Sequence, residues 1–213
     1  GSFSSVGGLR VLKLDPLTGL RADDNYTYNP DELQDPYYGR QIAVKRGEGP
    51  YILTVPSEMS STGYYYFLFW SQGVLSSTGG YNMRMLRSEY PDRGFVDYSG
   101  KSALDSSVVG VRIMDNFMFT TMEYSSTANG GNSAIVTEDG KIFLHYHSKS
   151  AQTEAYGPNG FIIKSNQMFL NEDGWLVTTP YKYNGETITE LTDADIAGDY
   201  EFIYHTLTSK VHP

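Results

Sequence analysis

The segment Gly47-Glu48-Gly49-Pro50-Tyr51-Ile52 holds a carboxylate between two glycines, just ahead of a proline and an apolar run. Glycine lets a backbone come close to a ligand, and proline fixes the entry of the chain into a strand. A carboxylate held in an aromatic-lined hollow has a raised pKa and can serve as a general acid. The plain alternative for Glu48 is a solvated loop glutamate. Two further groups have the types, but not the setting, for chemistry. His145 and His147 are two apart on a strand and share a face, as two metal ligands would. The acidic stretch from Asp23 to Asp35, with Asp24, Asp31 and Glu32, has irregular spacing and reads as a solvated loop rather than a calcium loop. Asn25-Tyr26-Thr27 fits a glycosylation sequon and reads as a chance match.

Strands must position these residues. Runs of strand character recur at Leu9 to Leu14, Tyr51 to Val55, Tyr64 to Trp70, Ala134 to Thr137, Lys141 to His147, Phe161 to Lys164 and Trp175 to Thr178. Turn chemistry separates them: Asp15-Pro16-Leu17-Thr18-Gly19, Glu138-Asp139-Gly140 and Asn171-Glu172-Asp173-Gly174. Tyr64-Tyr65-Tyr66-Phe67-Leu68-Phe69-Trp70 does not alternate, so it should be covered on both faces.

An internal repeat explains that run. Gly63-Tyr64-Tyr65-Tyr66-Phe67-Leu68-Phe69-Trp70-Ser71 aligns without gaps on Gly140-Lys141-Ile142-Phe143-Leu144-His145-Tyr146-His147-Ser148, at an offset of 77 residues. Leu86-Arg87-Ser88 matches Ile163-Lys164-Ser165 at the same offset of 77, and Leu9-Arg10-Val11-Leu12-Lys13 resembles Met83-Arg84-Met85-Leu86-Arg87 at 74. Repeated four-stranded sheets packed face to face are β-propeller blades. Roughly three units fit here against the four to eight blades of typical propellers, so the chain reads as part of a longer protein, entered mid-blade. Innermost strands start near a propeller axis. That places Glu48 there in one unit and Gly130-Gly131-Asn132-Ser133-Ala134-Ile135 in the next. The repeat also sets His145 and His147 on Leu68 and Trp70, which are packing positions.

Composition agrees with an all-β class. Eighteen Tyr, ten Phe, two Trp and 22 Gly stand in a chain of 213 residues of which 19% are charged. The absence of cysteine excludes disulfides, thiolate zinc sites and a cysteine nucleophile. Sixteen Lys and Arg against 25 Asp and Glu, a net charge of −9, argue against nucleic acid and against anionic membranes. No apolar run approaches the roughly 18 residues of a membrane span. The opening residues lack the basic head and apolar stretch of a signal peptide.

Gly47-Glu48-Gly49-Pro50-Tyr51-Ile52 resembles the general-acid segment of glycoside hydrolase family 43, and Gly79-Gly80-Tyr81-Asn82-Met83-Arg84 resembles its arabinanase branch. Gly1-Ser2-Phe3 and Leu14-Asp15-Pro16-Leu17-Thr18-Gly19 resemble an inner strand and turn of the preceding blade. Asn132-Ser133-Ala134-Ile135 is similar to the second half of a Gly-His-Asn-Ser segment near the axis, and Gln167-Met168-Phe169-Leu170-Asn171-Glu172-Asp173-Gly174-Trp175 to the last blade, with Pro180-Tyr181 and Gly185-Glu186 behind it. His147 matches a family histidine that follows a tyrosine. Ala197 to His205 resembles the opening of a small C-terminal β-domain. The resemblance therefore implies incomplete five-bladed propeller blades over 1–190 and the start of that β-domain over 191–213.

The resemblance further implies inverting hydrolysis of α-1,5-L-arabinofuranosyl linkages, with Glu48 as general acid. The family's base aspartate and the aspartate that tunes the acid lie upstream of the Gly-Ser-Phe segment; Asp15 and Asp97 match turns and do not replace them. Ser2, Phe3, Tyr81, Asn82, Asn132 and Ser133 become substrate contacts, aromatic rings stacking on sugars and amide or hydroxyl groups orienting them. For Phe3 and Tyr81 the alternative is blade packing. The axial segment of the family carries a histidine that helps to hold a cation, usually calcium; that position here is Gly131. The implied partners are arabinan or arabino-oligosaccharides of plant cell walls and the remaining N-terminal part of the same propeller, in an extracellular or periplasmic location. A catalytically silent carbohydrate-binding propeller, and an exo-arabinofuranosidase or β-xylosidase of the same family, are the competing readings.

Overall fold

The computed structural model describes residues 7–22, 34–35, 39–44, 47–76, 79–149 and 160–205. Ser2, Phe3 and most of the acidic stretch between Asp23 and Asp35 lie outside the described residues. Among the described residues the elements are β1 (Leu9–Val11), β2 (Gln34–Asp35), β3 (Gly39–Ala43), β4 (Glu48–Pro56), β5 (Tyr64–Gln72), β6 (Asn82–Ser88), β7 (Val111–Met114), β8 (Thr127–Val136), β9 (Ile142–Lys149), β10 (Ile162–Leu170), β11 (Leu176–Thr178) and a short helix, α1 (Asp193–Ile196). The all-β class holds. No helix among the described residues is long and apolar enough to cross a membrane.

Two antiparallel four-stranded sheets run β4-β5-β6-β7 and β8-β9-β10-β11 in simple sequence order, and β1, β3 and β2 form a smaller sheet. Sequential up-and-down order is the blade pattern that the repeat at offset 77 predicts: β5 and β9 are second strands, and β6 and β10 third strands. The likeness at offset 74 has no such counterpart, because β1 is an edge strand of the three-stranded sheet. The chain divides into two compact units, 1–72 with 84–111 and 73–83 with 112–213.

In the first unit, Phe67, Leu68, Phe69 and Trp70 of β5 are all sealed from solvent, as expected for a strand covered on both faces. Leu68 and Trp70 join Leu9, Ile42, Ala43, Leu86, Phe95, Ala103 and Val108 in one core. Glycines shape the space around Trp70. A β-carbon on Gly47 would run into the indole and would lie 2.7 Å from the Ser71 carbonyl oxygen, and one on Gly110 would meet the far edge of the same ring. Phe67 and Phe69 are sealed as well, on the other side of the strand from Leu68 and Trp70.

In the second unit, β9 alternates strictly. Ile142, Leu144, Tyr146 and Ser148 are buried, while Phe143, His145, His147 and Lys149 are half-buried. The Tyr146 hydroxyl donates to Asn166 Oδ1 at 3.1 Å, and burial raises its pKa. The predicted Asp-Gly hairpin joins β8 to β9 with Gly140 at φ +79°, and the Asn171 side chain accepts the Asp173 and Trp175 amides in the turn before β11. β3 and β7 had no distinct sequence signal, being short and flanked by charged or glycine residues. Glu201 accepts the amide (2.9 Å) and hydroxyl (2.8 Å) of Thr120, which ties the tail to this unit.

Gly47→Ala overfills the contact with Trp70. We expect a loss of about 1–3 kcal/mol, read as a lower denaturant midpoint at unchanged m-value.

Candidate functional site

Glu48 is the first residue of β4 and is exposed. It pairs with Ser71, and Tyr51 pairs with Phe69, so β4 carries one more residue than β5 over this interval. That is a β-bulge, a device that re-aims a side chain at a strand end. Gly49 takes the strained turn of the bulge at φ +59°, in the left-handed region that favours glycine. Gly47 meanwhile abuts the edge of the Trp70 indole. The Gly-Glu-Gly-Pro sequence thus has a local reason at each position: a close contact with the ring, the presented carboxylate, the bulge and the strand entry.

The second blade repeats the device. β8 shifts register against β9 twice, between Thr127 and Gly130 and again between Gly130 and Ser133. Gly131 sits at φ +60°, and Ala128 at φ +51° although it carries a side chain. Gly131 abuts a ring edge, as Gly47 does: an added β-carbon would be 2.6 Å from His147 Cδ2 and 2.9 Å from Nε2. The His147 ring stacks on Tyr81 (5.7 Å between centroids, 17° between planes) and takes the Phe161 ring edge-on (4.9 Å, 76°). Asn132, next in line, is 6% exposed, and neither its Oδ1 nor its Nδ2 has a hydrogen-bond partner among the described residues. Ser133 is exposed and lies opposite His145, whose Nδ1 is hydrogen-bonded to the Ser165 hydroxyl at 2.8 Å.

Tyr81 and Asn82 are delivered by a glycine-closed loop. Gly73, at φ +103°, packs against the Gly80 carbonyl, Gly79 packs against Val74, and the Val74 amide donates to the Gly79 carbonyl at 3.2 Å. Tyr81 is buried against His147, and the fully buried Asn82 donates through Nδ2 to the Gly80 carbonyl at 2.8 Å. The second unit therefore brings Tyr81, Gly131 and His147 into one cluster, whereas Glu48 is positioned within the first. Among the described residues no group of three or more His, Asp or Glu side chains is placed to hold a metal ion. His145 and His147 engage Ser165 and the aromatic rings instead.

A buried polar network behind β8 had no motif to announce it. Arg112 pairs with Asp115, and Asp115 Oδ1 accepts the Asn116 amide at 2.7 Å. Asn116 Oδ1 accepts the Ala128 amide at 2.7 Å, and Asn129 Nδ2 donates to the Asp115 carbonyl at 2.7 Å. Ser126 donates to Asn129 Oδ1 at 2.9 Å and itself accepts from Lys164 Nζ at 2.9 Å. The left-handed conformation of Ala128 costs about 1–2 kcal/mol, and this network holds it in place. The clustering of Asp115-Asn116 with Ser126 and Asn129 around an apolar run was the available signal; a single sequence could not tell it from loop polarity.

No protein-family model matches the chain. It is 36% identical, over 98% of its length, to the extracellular endo-α-(1→5)-L-arabinanase of Thermotoga petrophila, and 33% identical, over 96%, to the extracellular endo-α-(1→5)-L-arabinanase 2 of Bacillus subtilis. The chain belongs to glycoside hydrolase family 43. Its fold is the arabinanase-like β-propeller of that family. A family 43 glycoside hydrolase from Bacillus licheniformis superposes with a TM-score of 0.71 at 28% identity, over 89% of this chain and 42% of that one. The T. petrophila endo-1,5-α-L-arabinanase structure gives 0.69 at 33% identity, over 89% and 41%. The chain spans 44% and 43% of the two curated relatives.

Burial holds the pKa of Lys164 below 10.5. Between its folded value and 10.5 the unfolded chain binds the proton more tightly, so Lys164 makes stability rise with pH in that window. The unfolding free energy of the wild type should therefore gain on that of Lys164→Met as pH climbs towards 10.5; a pH-independent difference would contradict it.

Proposed function

We propose that this chain is part of a secreted glycosidase that cleaves α-1,5-L-arabinofuranosyl linkages in arabinan with inversion, and that Glu48 is its general acid. The observation that carries this reading is the bulge at Gly47-Glu48-Gly49-Pro50, within a chain that matches two endo-arabinanases along nearly its whole length. A general acid must reach the leaving oxygen, and an exposed carboxylate whose backbone is pinned on both sides can do so without reorganising. In this reading Glu48 protonates the glycosidic oxygen as the C–O bond breaks. A carboxylate base outside these residues removes a proton from the water that attacks the opposite face of the sugar. The two carboxyl groups then stand about 6.5–9.5 Å apart.

Tyr81, Asn82, Asn132 and Ser133 are proposed substrate contacts, with Ser2 and Phe3. Asn132 is supported best, because a buried amide with both polar atoms unbonded within the described residues matches a sugar hydroxyl, which both donates and accepts. Tyr81 and Asn82 already spend their groups on His147 and Gly80, which favours a role in shaping the site. A neutral polysaccharide suits a chain of net charge −9, and the extracellular relatives support an extracellular or periplasmic location. The start of a C-terminal β-domain at 191–213 is proposed on the resemblance of Ala197 to His205 alone, since the described part of the tail carries a short helix and no strand. Tyr200, Phe202 and Tyr204 are exposed, while Glu201 and His205 turn towards Thr120 and Asp115.

The test is hydrolysis of linear α-1,5-arabinan by the complete protein and its Glu48→Gln variant, with products resolved by chromatography. The variant should lose about 10²–10⁴-fold in kcat while its thermal midpoint stays put. It should keep most of its rate on an aryl arabinofuranoside whose leaving group needs no proton. Equal activity on arabinan would remove Glu48 from the mechanism, and sugar binding without hydrolysis by the wild type would favour the silent binding propeller.

A further inference from the structure

The family resemblance implies calcium near the propeller axis, held in part by a histidine at the position of Gly131. Among the described residues the side chains at this segment do not fit such a site. We infer that Gly131 makes room for the edge of the His147 ring, as Gly47 does for that of Trp70, and that this axial segment works without calcium.

The two blades carry the argument. His147 and Trp70 are equivalent in the repeat at offset 77, and each lies on its neighbouring strand against a glycine whose β-carbon would collide with the ring. Glycine at 131 is thus what the packing of its own sheet requires. A histidine there would need the left-handed backbone at φ +60°, which a side chain adopts at a cost. Its β-carbon would also sit 2.6 Å from His147 Cδ2. Flexible ends of side chains yield to such contacts, but this ring is held between Tyr81 and Phe161, and Lys149 Nζ lies 4.8 Å above the Phe161 ring. The imidazole in this part of the blade therefore comes from β9, stacked among aromatics. Calcium takes six to eight oxygen ligands, and Asn132 is the one buried side chain between Gly130 and Ile135 with an oxygen to offer. The inference is independent of the role of Glu48, because its test reads binding and stability rather than hydrolysis.

The protein is stripped with EGTA and titrated with CaCl₂, following the thermal midpoint and the bound metal by elemental analysis. We expect no bound calcium and no shift. One ion per chain, with a rise of about 5–10 °C at saturating calcium, would overturn the inference. A double-mutant cycle tests the contact itself: Gly131→Ala should lower the midpoint by several degrees more in the wild-type background than in His147→Ala, since backbone strain is common to both and cancels. Equal losses in the two backgrounds would show that His147 does not fill the space into which a Gly131 β-carbon would point.

Discussion

An aromatic ring whose edge abuts a backbone without a β-carbon is the contact that both blades share. Trp70 is enclosed by Gly47 and Gly110, and it is a completely buried member of the core of its unit. An indole brings more apolar area into a core than any other side chain, but it needs neighbours that leave room for both of its ends. Glycine supplies that room at the start of β4, where an ordinary residue would push the strand off the ring. The loss of backbone freedom that glycine brings is offset by the close contact.

That packing constraint decides where chemistry can be placed. A residue beside such a glycine has its backbone fixed from one side by the ring, and the following bulge fixes it from the other. Glu48 occupies this position in the first blade. In the second blade Asn132 directly follows Gly131, but it lies inside the register shift between Gly130 and Ser133 and is buried. The first blade thus presents a carboxylate at the start of its bulge, whereas the second holds a buried carboxamide within one. In both, a glycine keeps its close contact with an aromatic ring.

Much of this was legible in the residues. The unbroken aromatic run from Tyr64 to Trp70 announced a strand covered on both faces, and the ungapped likeness of β5 and β9 announced two blades, because strand and packing both follow from hydrophobic pattern. The turns at Asp15, Asp139 and Asn171 were legible because Asx and glycine chemistry is local. β3 and β7 were not, since strands this short and mixed owe their place to the partner they pair with. The polar network of Arg112, Asp115, Asn116 and Asn129 was hidden for a related reason: polar residues in sequence look like surface, and only the fold reveals that Asp115, Asn116 and Asn129 are buried and bonded to neighbouring backbone groups.

The role of His147 shows where local reading reaches its limit. Spacing alone offered His145 and His147 as a metal pair, and the repeat offered packing. The structure separates the two side chains, since one bonds Ser165 and the other stacks on Tyr81. A half-buried imidazole among aromatic rings behaves as a ring first and as a base second, because stacking holds both of its faces or edges against apolar neighbours. For Gly131 the consequence runs opposite to a simple account of loss. A histidine replaced by glycine looks like decay of a site when the family is the only frame. Set beside Gly47 and Trp70, the same glycine is the residue that lets the strand pass the edge of the ring, and the first blade, which carries the proposed acid, also sets a glycine against an aromatic ring.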